Sequence, residues 1–269
     1  MNSASGRLTK DGIRIYEPVD YAGMAEAGRI AATILDEIAP HIFVGQTTAE
    51  LDGIITEMVT AHGAKSATIG YKGYQHASCI SVNHVVCHGI PADKRIKEGD
   101  ILNIDVTVIL DGWYGDTSRM YAVGKLPRKS ERLIQVTHDA LFKGISAVMP
   151  GNSFGDIGHA IQTYVENHRM SVVKDFCGHG LGQVFHAPPN VLHYGQPGTG
   201  PVLEEGMFFT IEPMVNLGRS ETKVLADDWT AVTRDKSLSA QFEHSVGVTA
   251  TGVEIFTLSP ANSFHPTYK

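Results

Sequence analysis

The amino-acid sequence predicts an α+β fold built from two similar halves that share one sheet. Three observations point there. The first is a hairpin: strand-like runs from Ile101 to Leu110 and from Trp113 to Ala122 flank Asp111-Gly112. Asp-Gly between such runs is a strong turn signal, because both turn residues take positive φ. The second is a repeated helical face. At an offset of 106, Gly45, Thr47, Leu51, Ile54, Ile55, Met58 and Val59 land on Gly151, Ser153, Ile157, Ala160, Ile161, Tyr164 and Val165. The third is a repeated strand: Glu98 to Asp105 (EGDILNID) aligns with Glu205 to Glu212 (EGMFFTIE) at an offset of 107. Repetition of this kind makes two pseudo-symmetric βαα-like halves, and a site would lie on the seam between them.

Taken in order, residues 1–12 are polar and carry Gly, Ser and Lys, so they read as a loose N-terminal lead. Residues 13–269 read as a single domain, with halves at about 13–125 and 126–257. Ile30, Ile34, Leu35 and Ile38 keep helical spacing, which predicts a helix over 21–38 that ends before Pro40. Thr47 or Thr48 caps a second helix, which Gly63 closes. Strands are expected over 78–86, 171–176 and 245–250, beside the hairpin. A helix over 131–148, and one entered through Pro150-Gly151-Asn152-Ser153, open the second half. Gly178 and Gly180 flank His179 and allow its backbone to approach another group closely.

Composition bounds the function. A chain of 269 residues with 42% hydrophobic content can bury a large core. A net charge of -7 argues against a nucleic-acid backbone as main partner. Three Cys, an odd number, suggest free thiols in a reducing compartment, hence the cytoplasm. No apolar run approaches the length of a membrane span, and no cleavable signal pattern opens the chain. Thirteen His favour a metal site slightly.

The hairpin register places Thr107 opposite Asp116, so Asp105 and Asp116 become diagonal neighbours roughly 7 Å apart at Cβ. Two ionised carboxylates there repel, unless one is protonated, a cation lies between them, or both are solvated on an exposed face. His179, Glu212 and Glu243 also sit in apolar or Gly-rich strand settings. Four carboxylates and one imidazole form a hard, oxygen-rich donor set. That set suits Mn, Fe(II), Co or Zn in a bridged pair with ions about 3.5–4 Å apart, and not a Cys-rich structural zinc. Cys79 and Cys87 could form a redox or metal pair, but their separation and strand setting fit buried thiols better. By periodicity alone Tyr71, Tyr74, Cys79, Phe185 and Trp229 read as core, and His88 and His186 read equally as turn-bonded or functional.

The stretches CISVNHVVCHGIP, LNIDVTVILDGWYGDTSRM, CGHGLGQVFHAPP, FTIEPMVN and LSAQFEHSVGVT carry a D-x10-D…H…E…E order. Together they resemble the motifs of the type I methionine aminopeptidases, over about residues 13–257. The resemblance implies a pita-bread (creatinase/aminopeptidase-like) fold, a curved antiparallel sheet covered by helices. It implies two divalent ions: Asp105 chelates one, His179 binds the other, Asp116 and Glu243 bridge, and Glu212 is a further ligand. Glu212 would also take a proton from the attacking water, His186 would donate to the substrate carbonyl, and His88 would assist near the scissile nitrogen. Tyr71, Tyr74, Cys79, Phe185 and Trp229 match positions of the methionine pocket, which His88 and His186 also touch. Thr68 stands where some members carry Cys, which puts the pocket rim in question. The backbone carbonyls of Asn83, Val85 and Ser239 match a site for Na or K. The implied activity is removal of initiator Met from nascent peptides with a small second residue, at the ribosome and by a monomer. Neither a zinc-binding N-terminal extension nor the long type II insertion has a counterpart, so the short bacterial-like form is expected. Two alternatives remain. A relative that cleaves X-Pro bonds would need a different pocket and usually a large extra N-terminal domain. A non-enzymatic peptide-binding module would be expected to have lost ligands.

Overall fold

The computed structural model describes residues 5–261; residues 1–4 of the lead and 262–269 lie outside the described residues. Four helices run α1 (Asp20–Glu37), α2 (Thr48–Ala61), α3 (Arg128–Ser146) and α4 (Phe154–Asn167). Strands β1 (Ser78–Val82), β2 (Val85–Cys87), β3 (Ile101–Leu110) and β4 (Trp113–Ala122) belong to the first half. The second half holds β5 (Gly178–Gly180), β6 (Ala187–Val191), β7 (Phe208–Ile211), β8 (Met214–Asn216), β9 (Ala231–Thr233), β10 (Ser239–Gln241), β11 (His244–Thr249) and β12 (Gly252–Ile255).

The β3–β4 hairpin has the expected register, with Leu110 opposite Trp113 and Thr107 opposite Asp116. Asp111 and Gly112 both take positive φ, at 47° and 85°. The repeat is also physical. Thr47 Oγ1 accepts from the Glu50 N–H at 3.1 Å, and the Glu50 carboxylate accepts from the Thr47 N–H at 2.8 Å. At the equivalent place the Asp156 carboxylate accepts from the Ser153 N–H and hydroxyl, each at 2.7 Å. Both are capping boxes, which satisfy donors that a helix start leaves unpaired. Leu51, Ile55 and Val59 are buried, and so are their counterparts Ile157, Ile161 and Val165. Ile54 and Met58 are half-buried, as are Ala160 and Tyr164. Each half has its own core under its helix pair, with Ile34, Leu51 and Ile104 in one and Leu133, Ile161 and Phe209 in the other.

The strands pair antiparallel in several ladders. In one, β3 lies between β1 and β4; in another the order is β6-β5-β7-β11-β12. A bridge between Ser118 and Glu243 joins these two ladders, and the Tyr114 N–H donates to the Gly182 carbonyl at 2.8 Å. The Glu243 N–H donates to the Ser118 carbonyl at 3.1 Å. The Thr117 hydroxyl donates to the Glu243 carbonyl at 2.7 Å, and the Ser245 hydroxyl to the Asp116 carbonyl at 2.6 Å. Side-chain hydroxyls thus hold together the two strands that present Asp116 and Glu243.

Two strands are shorter than their apolar runs. The run 78–86 breaks at Asn83, whose φ is 59° and whose amide and side chain both bond Ile101. The run 171–176 keeps only Ser171–Val172 as strand, after which the Val173 N–H reaches the Met214 carbonyl. In the N-terminal lead, Arg7–Leu8 pairs with Arg14–Ile15, and the Ser5 N–H donates to the Gln183 side chain at 2.8 Å. Residues from 5 onward are therefore pinned to the second half.

Candidate metal centre and substrate cavity

Asp105 lies on β3, Asp116 on β4 and His179 on β5, while Glu212 follows β7 and Glu243 joins β10 to β11. A cavity of about 700 Å³ opens over the seam, and all five line it. His88, His186, Tyr71, Tyr74, Cys79, Phe185 and Trp229 line the same cavity. Asp116, His179 and Glu243 each offer a ligand atom, and these atoms lie within 4.8 Å of one another. His179 Nε2 is 3.4 Å from Asp116 Oδ2 and 3.8 Å from Glu212 Oε1. His179 Nδ1 faces the Gly180 carbonyl at 3.1 Å. That bond places the ring proton on Nδ1 and leaves Nε2 as a donor atom for a cation.

Other polar side chains aim these groups. The Thr107 hydroxyl donates to Asp116 Oδ1 at 2.7 Å, and the Thr210 hydroxyl to Glu212 Oε1 at 2.8 Å. Gln241 Nε2 donates to Glu212 Oε2 at 3.2 Å. Thr210 Oγ1 also accepts from the His179 N–H at 3.0 Å. Sequence reasoning did not single out Thr107, Thr210 or Gln241 as site residues. The two-residue strand period was the available signal: Thr107 faces Asp116 across the hairpin, and Thr210 stands two before Glu212.

The glycines around His179 are used for close packing. A Cβ on Gly178 would press into the Thr210 carbonyl, and one on Gly180 into the Pro188 carbonyl. Both obstacles are backbone, so neither can swing aside. Gly180→Ala is expected to cost about 1–3 kcal/mol, read as a lower urea midpoint. An unchanged midpoint would show that the β5–β6 pair yields easily.

The carboxylates are crowded and short of counter-charge. Burial, and then the charge of Asp116, hold Asp105 and Glu243 well above the usual carboxylate range. Burial also raises Glu212 to about 7; Asp116 adds to this, while His179 and Thr210 oppose it. For His179, burial alone would lower the value, but the hydrogen bond that the protonated ring gives to the Asp116 carboxylate and the nearby carboxylate charges outweigh it and leave it raised. Lys72, exposed at the rim, is the one Lys or Arg among the residues that line the cavity. Four carboxylates, Asp116 and Glu243 buried and Asp105 and Glu212 half-buried, with so little positive charge fit a site for divalent metal.

The presumed core aromatics form cavity walls. The Tyr74 ring lies 4.9 Å from Trp229, and its hydroxyl donates to the Ser78 carbonyl at 2.9 Å. Tyr71 packs 4.8 Å from Phe185 and stacks on His186 at 5.2 Å. Cys79 and Cys87 are free and buried, and burial raises both thiols, so neither is a ready thiolate. The Thr68 hydroxyl donates to the His76 carbonyl at 2.7 Å, which ties down that part of the rim. Burial lowers His88, and burial followed by the charge of His179 lowers His186. Both take positive φ, 55° and 57°, a costly state for a residue with a Cβ and one that sets where the ring points. Ser239 donates its N–H to the Asn83 carbonyl at 2.9 Å, and Val85 lies opposite Val232.

The model for metallopeptidase family M24 matches residues 22–250. The chain is 56% identical over 257 residues to a methionine aminopeptidase of Rickettsia prowazekii (strain Madrid E), covering 95% of this chain and 99% of that protein. It is 50% identical over 248 residues to a methionine aminopeptidase of Escherichia coli (strain K12), covering 91% and 94%. The crystal structure of methionine aminopeptidase from Rickettsia prowazekii superposes with a TM-score of 0.91 at 57% identity, covering 91% of this chain and 100% of that one. No helix among the described residues is long and apolar enough to cross a membrane. With a pseudo-symmetric antiparallel frame, a carboxylate-rich cavity and this extent of similarity, the chain belongs to metallopeptidase family M24, among its methionine aminopeptidases.

Proposed function

We propose that the chain hydrolyses the first peptide bond of polypeptides that begin with Met, and does so best when the second residue is small. The observation that carries this is the meeting, in one cavity, of an acidic donor set with an aromatic and thiol-lined wall. Asp105, Asp116, His179, Glu212 and Glu243 would hold two divalent ions of the Mn, Fe(II), Co or Zn class. Bound there, such ions supply acidification of a water and polarisation of a carbonyl.

The side chains do the rest. Glu212 takes a proton from the attacking water and hands it towards the leaving nitrogen. His186 donates an N–H to the carbonyl oxygen as charge builds on it, and His88 steadies the leaving nitrogen. Tyr74, Cys79 and Trp229 make an apolar, polarizable seat for a thioether, with Tyr71 and Phe185 beside them. Tyr71, stacked on His186, would crowd a bulky second residue if the scissile bond lies beside His186. In the same scheme the carbonyls of Asn83, Val85 and Ser239 would hold Na or K. Three free thiols suit a reducing cytoplasm and a net charge of -7 suits a protein that does not bind nucleic acid itself; the chain would act there as a monomer on nascent chains near the ribosome.

The test is Met release from a Met-Ala-Ser peptide after chelation, and again after Mn or Co is restored. Release that vanishes and returns is expected. Folded protein that releases nothing under any metal would favour a peptide-binding module instead, and cleavage of Ala-Pro peptides in its place would favour the X-Pro alternative. A Met-Leu-Ser peptide cleaved as fast as Met-Ala-Ser would remove the small-residue preference. His186→Ala is expected to lower kcat/KM by about 10²–10³-fold with metal content unchanged. Parent-like kinetics in that variant would take His186 out of the mechanism.

A further inference from the structure

Glu212 stands one residue past β7, whose ladder to β11 stops at Ile211 opposite His244. In the other half the equivalent residue, Asp105, lies inside β3, with Cys79 of β1 opposite it on one side and Ser118 of β4 on the other. The second half lacks the outer strand at this point. There β5 meets β7 at Phe209 opposite Gly180 and does not extend to Glu212. On the inner side, the Glu243 N–H is already given to Ser118.

The Glu212 N–H is donated instead to His193 Nε2, at 3.0 Å. His193 has 0% of its surface exposed, and its Nδ1 has no hydrogen-bond partner among the described residues. A ring that accepts at Nε2 carries its proton on Nδ1. That proton is then buried and unpaired, which costs stability. A carboxylate acceptor in the same place would add another negative charge beside carboxylates that already repel. A neutral imidazole avoids this.

We propose that His193 is a positioning residue: its Nε2 replaces the missing strand, fixes the Glu212 backbone and so aims the Glu212 carboxylate at the metal centre. This role rests on Glu212 being a ligand, so the parent protein must first show metal-dependent Met release; failure there removes the ligand assignment, whatever His193 does.

The test pairs two amides. In His193→Gln the side-chain oxygen reaches the place of Nε2, whereas in His193→Asn it stops near that of Nδ1. Mn titration into the chelated protein by calorimetry, and kcat and KM on Met-Ala-Ser, are read for each. The Asn variant is expected to lose about 10–100-fold in Mn affinity and in kcat with little change in KM, while Gln remains close to the parent. Equal behaviour of Asn and Gln, or parent-like Mn affinity in Asn, would overturn the role. Nitrogen NMR of the parent gives a check that needs no variant. It should show His193 protonated at Nδ1 with a bare Nε2, and the opposite tautomer would sink the proposal.

Discussion

Asp116→Asn should leave a folded protein whose turnover of Met-Ala-Ser is lower by about 10³-fold or more. The substitution keeps the shape of the side chain and removes one charge. Asp116 is buried, with Oδ1 taken by the Thr107 hydroxyl and Oδ2 facing His179. Losing that charge weakens the hold on divalent ions, whose stabilisation of developing charge is worth several kcal/mol, or about a factor of ten per 1.4 kcal/mol. The same loss relieves the repulsion that Asp116 exerts on Asp105, Glu212 and Glu243. The chelated variant should therefore unfold at the parent temperature or slightly above it. Kinetics and thermal unfolding thus move in different directions. Full turnover at low metal would overturn the metal role of Asp116, and broad destabilisation would make the residue structural.

Chelated protein should become less stable as pH rises from 5 to 8. Burial raises Asp105, Glu212 and Glu243 above their unfolded values, Glu212 from 4.5 to about 7. The folded, metal-free chain then holds protons that the unfolded chain has already released. For such groups stability is full below the unfolded pKa and declines as pH climbs through the folded one. His179, also raised, acts in the same sense, while His88, His186, His193 and His244, which burial lowers, act in the opposite sense up to about pH 6.5 and offset part of the loss. A fall in Tm of about 5 °C or more is expected across this window. Added Mn should reverse it, with a larger gain at pH 8 than at pH 5, because metal takes the place of the protons. A Tm of the chelated protein that holds or rises between pH 5 and 8 would contradict the crowded-carboxylate picture.

Much of this was legible in the sequence because the signals are local. Asp111-Gly112 set the hairpin, and the two-residue period then fixed which side chains of β3 and β4 face one another. Thr47 and Ser153 marked the helix starts, and the matched positions after them share the same pattern of burial. The order of acidic residues and His179 pointed to one centre, and the chain brings all five to one cavity. Asn83 was less legible, because an apolar run does not reveal that one of its residues will turn the chain left-handed to bond Ile101.

Sequence alone determined the two halves, their helical faces and the set of residues with the chemistry for a metal site. Tertiary structure decided that Tyr74, Cys79 and Trp229 wall a cavity and do not fill a core. It also decided that His88 and His186 sit at positive φ facing that cavity, and that His193 completes the hydrogen bonding of Glu212. The difference is physical. Periodicity reports which face of one element is buried, whereas a cavity, a strained turn or a stand-in hydrogen bond exists only where several elements meet.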